Sequence, residues 1–203
     1  MFISFDGVDG VGKSTQAAQF VEWLQEQGHQ VLRCRDPGST ELGERLRTLV
    51  LKDTKISIAA GSEMLLYMAA RAQLVSEVIQ PALAAGKVVV SDRFLLANVV
   101  YQGHAAGLDP QDIWDVGGVA TGGLEPDLTV VLDMPLEKAV GRIGRELDRM
   151  EARGLEFLEK VRQGFLREAE RSPDRIVVVN ADQEIPQVQH DIRQVASRCL
   201  NVS

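Results

Sequence analysis

Between Phe2 and Thr15 the chain changes character twice. Phe2, Ile3 and Phe5 form a short apolar run of the kind a buried strand shows. Gly7-Val8-Asp9-Gly10-Val11-Gly12-Lys13-Ser14 then fits G-x-x-x-x-G-K-[ST] with no position missing. Thr15 to Leu24 continues in a helical pattern. A strand, a glycine-rich loop and a helix in that order leave few folds open. The glycines let the backbone turn its N–H groups inward, and the following helix adds its positive N-terminal end. Such a cradle suits an anion, above all a phosphate. Gly7 to Thr15 therefore reads as the seat of a nucleoside triphosphate. Lys13 can reach its β- and γ-phosphates, and Ser14 can offer its hydroxyl to Mg²⁺. A chance match is the alternative, and the strand-before, helix-after context argues against it.

The remainder alternates. Strand patterns fall at Val31 to Arg35, Val88 to Asp92, Leu128 to Asp133 and Arg175 to Asn180. Helical patterns fall between them: a long one over 63–85, then 95–103, 111–120, 155–169 and a closing one over 185–200. Pro135 opens a further helix expected to run into an Arg-rich stretch. Strands that are near-continuous apolar runs, alternating with helices, imply a parallel sheet covered on both faces. A chain of 203 residues is read as one domain with a full core. Its charge, 22 − 29 = −7, disfavours broad nucleic-acid or membrane-surface binding. Cys34 and Cys199 have no metal-type spacing, nor do His29, His104 and His190. No apolar run reaches the roughly 20 residues of a membrane span, and the first strand leaves no room for a signal peptide. The expected compartment is the cytoplasm.

In open parallel sheets ligands bind beyond the carboxyl ends of the strands. Polar residues sit at each of those ends, and they are expected to converge on one crevice: Asp9, then Asp36-Pro37, then Asp92-Arg93, then the stretch after Asp133 that carries Arg142, Arg145 and Arg149. Asp92 suits a Mg²⁺ partner acting through water; a helix cap is its structural alternative. Arg93 can clamp a second phosphate bidentately; a surface ion pair is its alternative.

Several segments together resemble the bacterial thymidylate kinases. They are the phosphate loop, Asp36-Pro37-Gly38-Ser39-Thr40, Tyr67 to Gln73, Asp92-Arg93-Phe94, Tyr101-Gln102-Gly103, and Ala120 to Thr129. They occur in order over nearly the whole chain. The resemblance implies a three-layer P-loop kinase fold: a five-stranded parallel sheet flanked by helices, with a short lid at about 141–152. It implies Mg²⁺-dependent transfer of the ATP γ-phosphoryl to dTMP, usually by a homodimer. A kinase for another nucleoside monophosphate is the alternative. By position, Arg93 and Arg47 match arginines at the acceptor phosphate. Tyr67 matches an aromatic that stacks on thymine, and Arg71, four residues on and on the same helix face, a donor to its O4. Asn98 and Gln102 match base-facing positions. Tyr101 matches a residue crowding the sugar 2′ position. Asp9 matches an acid near the sugar 3′-OH and the metal, and Asp36 an acid of the acceptor site.

Phosphoryl transfer needs cations against the equatorial oxygens. The resemblance implies an arginine from the phosphate loop or from the lid. Gly10 stands where the first type has Arg, so the lid must supply it. Glu146-Leu147-Asp148-Arg149-Met150-Glu151 resembles a lid segment and points to Arg149, with Arg145 and Arg142 behind it. A run of arginines is otherwise most often a solvated helix face. The expected catalytic set is thus Lys13, Arg93, Arg149 and Asp9, with Ser14 and Asp92 at the metal. Asp36, Ser39, Leu74 and Ala97 depart from the family pattern and bear on base selection. A GTP switch protein would need a segment such as N-K-x-D, and none is present.

Overall fold

The computed structural model of the chain describes residues 1–52, 56–144 and 149–200. Five parallel strands make one sheet: β1 (Phe2–Asp6), β2 (Val31–Arg35), β3 (Val88–Asp92), β4 (Leu128–Asp133) and β5 (Ile176–Asn180). Their order is β2-β3-β1-β4-β5, with β1 at the centre. The register sets Phe5 beside Asp92 on one side and beside Val130 on the other. The carboxyl ends of β1 and β3 therefore open onto the same edge of the sheet.

Alternation along the strands builds a core on each face. Ile3, Phe5, Val88 and Val90 pack with α1 (Lys13–Glu26), α8 (Leu155–Arg171) and α9 (Ile185–Leu200). Phe2, Cys34 and Val89 pack on the other side, against the helical stretch from α3 (Ala60–Leu74) onward. Phe20 of α1 meets Phe5 at 5.6 Å between ring centroids, holding the helix after the phosphate loop against the central strand.

Between the strands lie α2 (Glu41–Leu51), α4 (Gln80–Ala84), α5 (Leu95–Asn98), α6 (Pro110–Thr121) and α7 (Leu136–Gly141). The long helix expected over 63–85 is present, but its middle, Val75–Ile79, widens into a π-helical turn between α3 and α4. A second such stretch, Val99–Ala105, continues α5. Periodicity alone does not separate these from α-helix. The helix opened by Pro135 is shorter than expected: α7 ends at Gly141 and does not run into the arginines. Arg145 and Glu146 to Asp148 of the expected lid lie outside the described residues. The segment resumes at Arg149 and makes a 3-10 turn over Glu151–Arg153.

Candidate active site

Gly12 takes a left-handed conformation, φ 95, and α1 begins at the next residue. The first intrahelical bond runs from Gln16 N–H to the Gly12 carbonyl at 3.0 Å. The N–H groups of Gly12, Lys13, Ser14 and Thr15 are thus left by the helix to face a ligand. Residues Asp9 to Gln16 line a cavity of about 750 Å³. Gly10 has φ +86, and a Cβ there would stand 1.9 Å from the Ala139 carbonyl oxygen. With this backbone the loop has no room for a side chain at position 10.

Lys13 is buried and donates to the Val8 carbonyl at 2.8 Å and to Asp9 Oδ1 at 3.1 Å. Arg93 donates to the same Asp9 Oδ1 at 2.8 Å, to the Gly7 carbonyl at 3.1 Å and to the Tyr101 hydroxyl at 3.2 Å. Burial alone would raise the Asp9 carboxyl; Arg93 and then Lys13 overcome it and hold Asp9 well below the usual carboxylate range. Burial, and then the Arg93 charge, push the Lys13 ammonium below the ordinary lysine value. Arg93 itself has φ 68, which a non-glycine residue seldom adopts. Its N–H is bonded to the Phe5 carbonyl at 2.9 Å and its carbonyl accepts from Ser91 Oγ at 2.6 Å, so the peptide is pinned on both sides.

Ser14 Oγ donates to Asp92 Oδ2 at 2.8 Å, beside Lys13. A hydroxyl and a carboxylate are hard oxygen donors, few in number, and this fits Mg²⁺, which keeps most of its waters. Asp92 caps no helix: α5 has Phe94 at its N-cap and no side-chain cap bond.

A second cavity of about 90 Å³ adjoins the first. Its lining brings together every acceptor-side residue expected from the sequence: Asp9, Asp36, Arg47, Tyr67, Arg71, Arg93, Asn98, Tyr101 and Gln102. Pro37, Leu51, Ala97 and Met150 complete it. Asp9, Asp36, Arg47 and Arg93 line both cavities, so they form the boundary between them. Arg47 donates to the Pro37 carbonyl at 2.9 Å. Arg71 is fully buried, with Nε on Asp36 Oδ2 at 2.6 Å and Nη1 on Asn98 Oδ1 at 3.1 Å.

The arginines after Asp133 part company. Arg142 lines the phosphate-loop cavity. Arg149 does not; its Nη2 stands 3.1 Å from Glu63 Oε2, alongside Arg153, which donates to both Glu63 oxygens. Glu63 and Arg153 were not singled out in the sequence. The signal was there: Glu63 precedes Tyr67 by one helical turn, a charge on the face that carries Tyr67 and Arg71. The wall of the larger cavity from Ala181 to Val188, after β5, carries no motif and was also missed.

A parallel five-stranded sheet with this loop at the end of its central strand, and a second cavity beside it, defines a P-loop phosphotransferase architecture. The thymidylate kinase family model matches residues 5–192. The chain is 44% identical to the thymidylate kinase of Rhodopirellula baltica over 95% of its length and 78% of the relative's. It is 41% identical to that of Kosmotoga olearia, covering 98% and 97% of the two chains. The crystal structure of thymidylate kinase from Ehrlichia chaffeensis superposes with a TM-score of 0.81 at 30% identity, over 97% of this chain and 98% of that one. The chain belongs to the thymidylate kinase family. Its fold is the P-loop kinase fold expected from the sequence.

Asp6, at the end of β1, is fully buried, and its Oδ1 has no partner among the described residues. Burial raises its carboxyl from 3.8 to about 7. Between those values the folded chain holds a proton that the unfolded chain has lost, so this group lowers stability as pH rises through that window. Asp6→Asn removes the effect. Denaturant midpoints compared from pH 4 to pH 8 should move in the variant's favour, relative to the parent, between about 4 and about 7. Parallel pH curves for the two proteins would show that Asp6 is not the group responsible.

Proposed function

We infer that the chain transfers the γ-phosphoryl group of ATP to dTMP, giving dTDP and ADP. The supporting observation is the pair of adjoining cavities, one on the phosphate loop and one around Tyr67, with Arg93 and Asp9 between them. ATP lies along Gly7 to Thr15, with its phosphates on the amides of the loop. Mg²⁺ would be held by Ser14 and, through water, Asp92, and would supply charge neutralisation to the triphosphate. A phosphate oxygen of dTMP attacks the γ-phosphorus and the bond to the β,γ-bridging oxygen breaks. A phosphate monoester is largely a dianion at neutral pH, so the attacking oxygen carries no proton to remove. Catalysis is positioning and charge. Arg93 and Arg47 orient the acceptor phosphate, and Lys13 meets the charge on the transferred group. Asp9 stands near the sugar, where Tyr101 leaves no room for a 2′-hydroxyl.

Tyr67 stacks on the base. Arg71, locked by Asp36 and Asn98, donates to O4, with Asn98 and Gln102 at the base edge. A buried donor aimed at O4 rejects cytosine, whose amine cannot accept. The thymine methyl makes only an apolar contact, worth about 1–3 kcal/mol. The protein acts as one domain in the cytoplasm, with no nucleic acid or membrane partner; no described helix is long and apolar enough to cross a membrane. A homodimer is supported by α3 packing against both α2 and α6, helices that expose Leu42, Leu65 and Val119.

An ADP-release assay with ATP and a panel of monophosphates tests the reading. Turnover should be fastest with dTMP, reduced but not abolished with dUMP, and very poor with dCMP and UMP. Equal rates for dCMP or UMP would transfer the activity to another monophosphate. The cation over the transferred phosphoryl is Arg149 in this reading, with Arg142, already at the phosphate-loop cavity, as the competing choice. Arg149→Ala should lower kcat by about 10²-fold or more. Near-normal kcat in that variant together with such a loss in Arg142→Ala would assign the role to Arg142.

A further inference from the structure

A line of buried polar groups crosses the acceptor cavity. Asp36 accepts from Arg71 Nε at 2.6 Å, and Arg71 Nη1 donates to Asn98 Oδ1 at 3.1 Å. Asn98 Nδ2 donates to Gln102 Oε1 at 2.6 Å, and Gln102 Nε2 to Glu63 Oε1 at 2.8 Å. Glu63 also takes Arg153 Nη2 at 3.1 and 2.9 Å and Arg149 Nη2 at 3.1 Å. Glu63, Arg71, Asn98 and Gln102 are all at most 2% exposed. Every donor between Arg71 and Glu63 points the same way along the chain.

That direction has a cause. A carboxylate only accepts and a guanidinium only donates, whereas an amide can be turned either way. Glu63 at one end forces the Gln102 NH₂ toward itself, which presents Gln102 Oε1 to Asn98. Asn98 must then donate to it and offer Oδ1 to Arg71. A glutamine at position 63 cannot repeat this. With its one oxygen at the Oε2 position, where Arg149 and Arg153 both donate, its NH₂ takes the Oε1 position and faces Gln102. Gln102 must turn over, then Asn98, and the Asn98 NH₂ meets the N–H groups of Arg71. Such a clash is costly, because it leaves a buried donor without an acceptor.

We propose that Glu63 is a positioning residue for substrate selectivity: it sets the polarity of Gln102 and Asn98, and so the direction in which Arg71 and the amides offer hydrogen bonds to a pyrimidine. The favoured ligand class is a pyrimidine with an acceptor at position 4, as opposed to an amine there. Glu63 touches no substrate in this scheme. It acts through Gln102 on one side and braces Arg149 and Arg153 on the other, and Met150 between them lines the same cavity. The inference rests on the dTMP reading above.

The test is the ratio of kcat/KM for dTMP to that for dCMP, measured at saturating ATP on the full chain. Glu63→Gln should narrow the ratio at least tenfold, with a larger change in the KM for the acceptor than in kcat and an unchanged KM for ATP. If that variant does not fold, Gln102→Met breaks the same line one link further on and should narrow the same ratio. A folded variant that loses activity equally toward both nucleotides, with the ratio unmoved, overturns the proposal. A parent protein with no preference for dTMP over dCMP would instead overturn the dTMP reading, which the same assay reports separately.

Discussion

One carboxylate holds two cations at the boundary of the two cavities. Asp9 Oδ1 accepts from both Lys13 and Arg93, and the pairs are largely withdrawn from water. Two positive side chains this close repel each other, and the anion between them offsets that repulsion. Removing it would leave uncompensated charge in a buried site. The rest follows from this junction. The phosphate loop is tied to β3 because Arg93 reaches back to the Gly7 carbonyl. The unusual backbone of Arg93 is what aims its guanidinium across the central strand, and its neighbours in β1 and β3 pin it there.

The net charge of −7 and the cationic site are compatible because charge acts locally here. Lys13, Arg35, Arg47, Arg93 and Arg142 all line the larger cavity. Arg35 is braced by Glu44 at 2.8 Å, which also takes the Ser39 N–H at 2.8 Å and so shapes the loop after β2. Acidic residues thus hold Lys13, Arg35 and Arg93 in place.

The sequence was most legible where local chemistry is specific. Glycines at 7, 10 and 12 with Lys13 dictate a loop whatever surrounds it, and apolar runs such as Val88 to Val90 read directly as buried strands. Tyr67 with Arg71, and Asn98 with Gln102, were legible because a four-residue spacing puts both members on one helix face. The partner of an arginine is less local. Arg149 belongs to a lid-like segment in sequence, yet in the fold it sits with Arg153 against Glu63, far from it along the chain. The spacing puts Glu63 on the face of Tyr67 and Arg71, but its pairing with Arg149 and Arg153 has no local signal. Asp6 ends β1, and its burial without a full set of partners is visible only once β3 and β4 flank that strand. The π-helical turns escape for a simpler reason, since their apolar spacing resembles that of the α-helix around them.

Arg93, proposed to hold the acceptor phosphate, shares Asp9 with Lys13 of the phosphate loop. Arg93→Ala, assayed with each substrate varied in turn, addresses that role directly. The KM for dTMP should rise strongly, with ATP affinity, measured by equilibrium titration, nearly intact and the thermal unfolding curve still cooperative. A loss shared equally by ATP and dTMP in a well-folded variant would contradict the assignment and place Arg93 on the donor side.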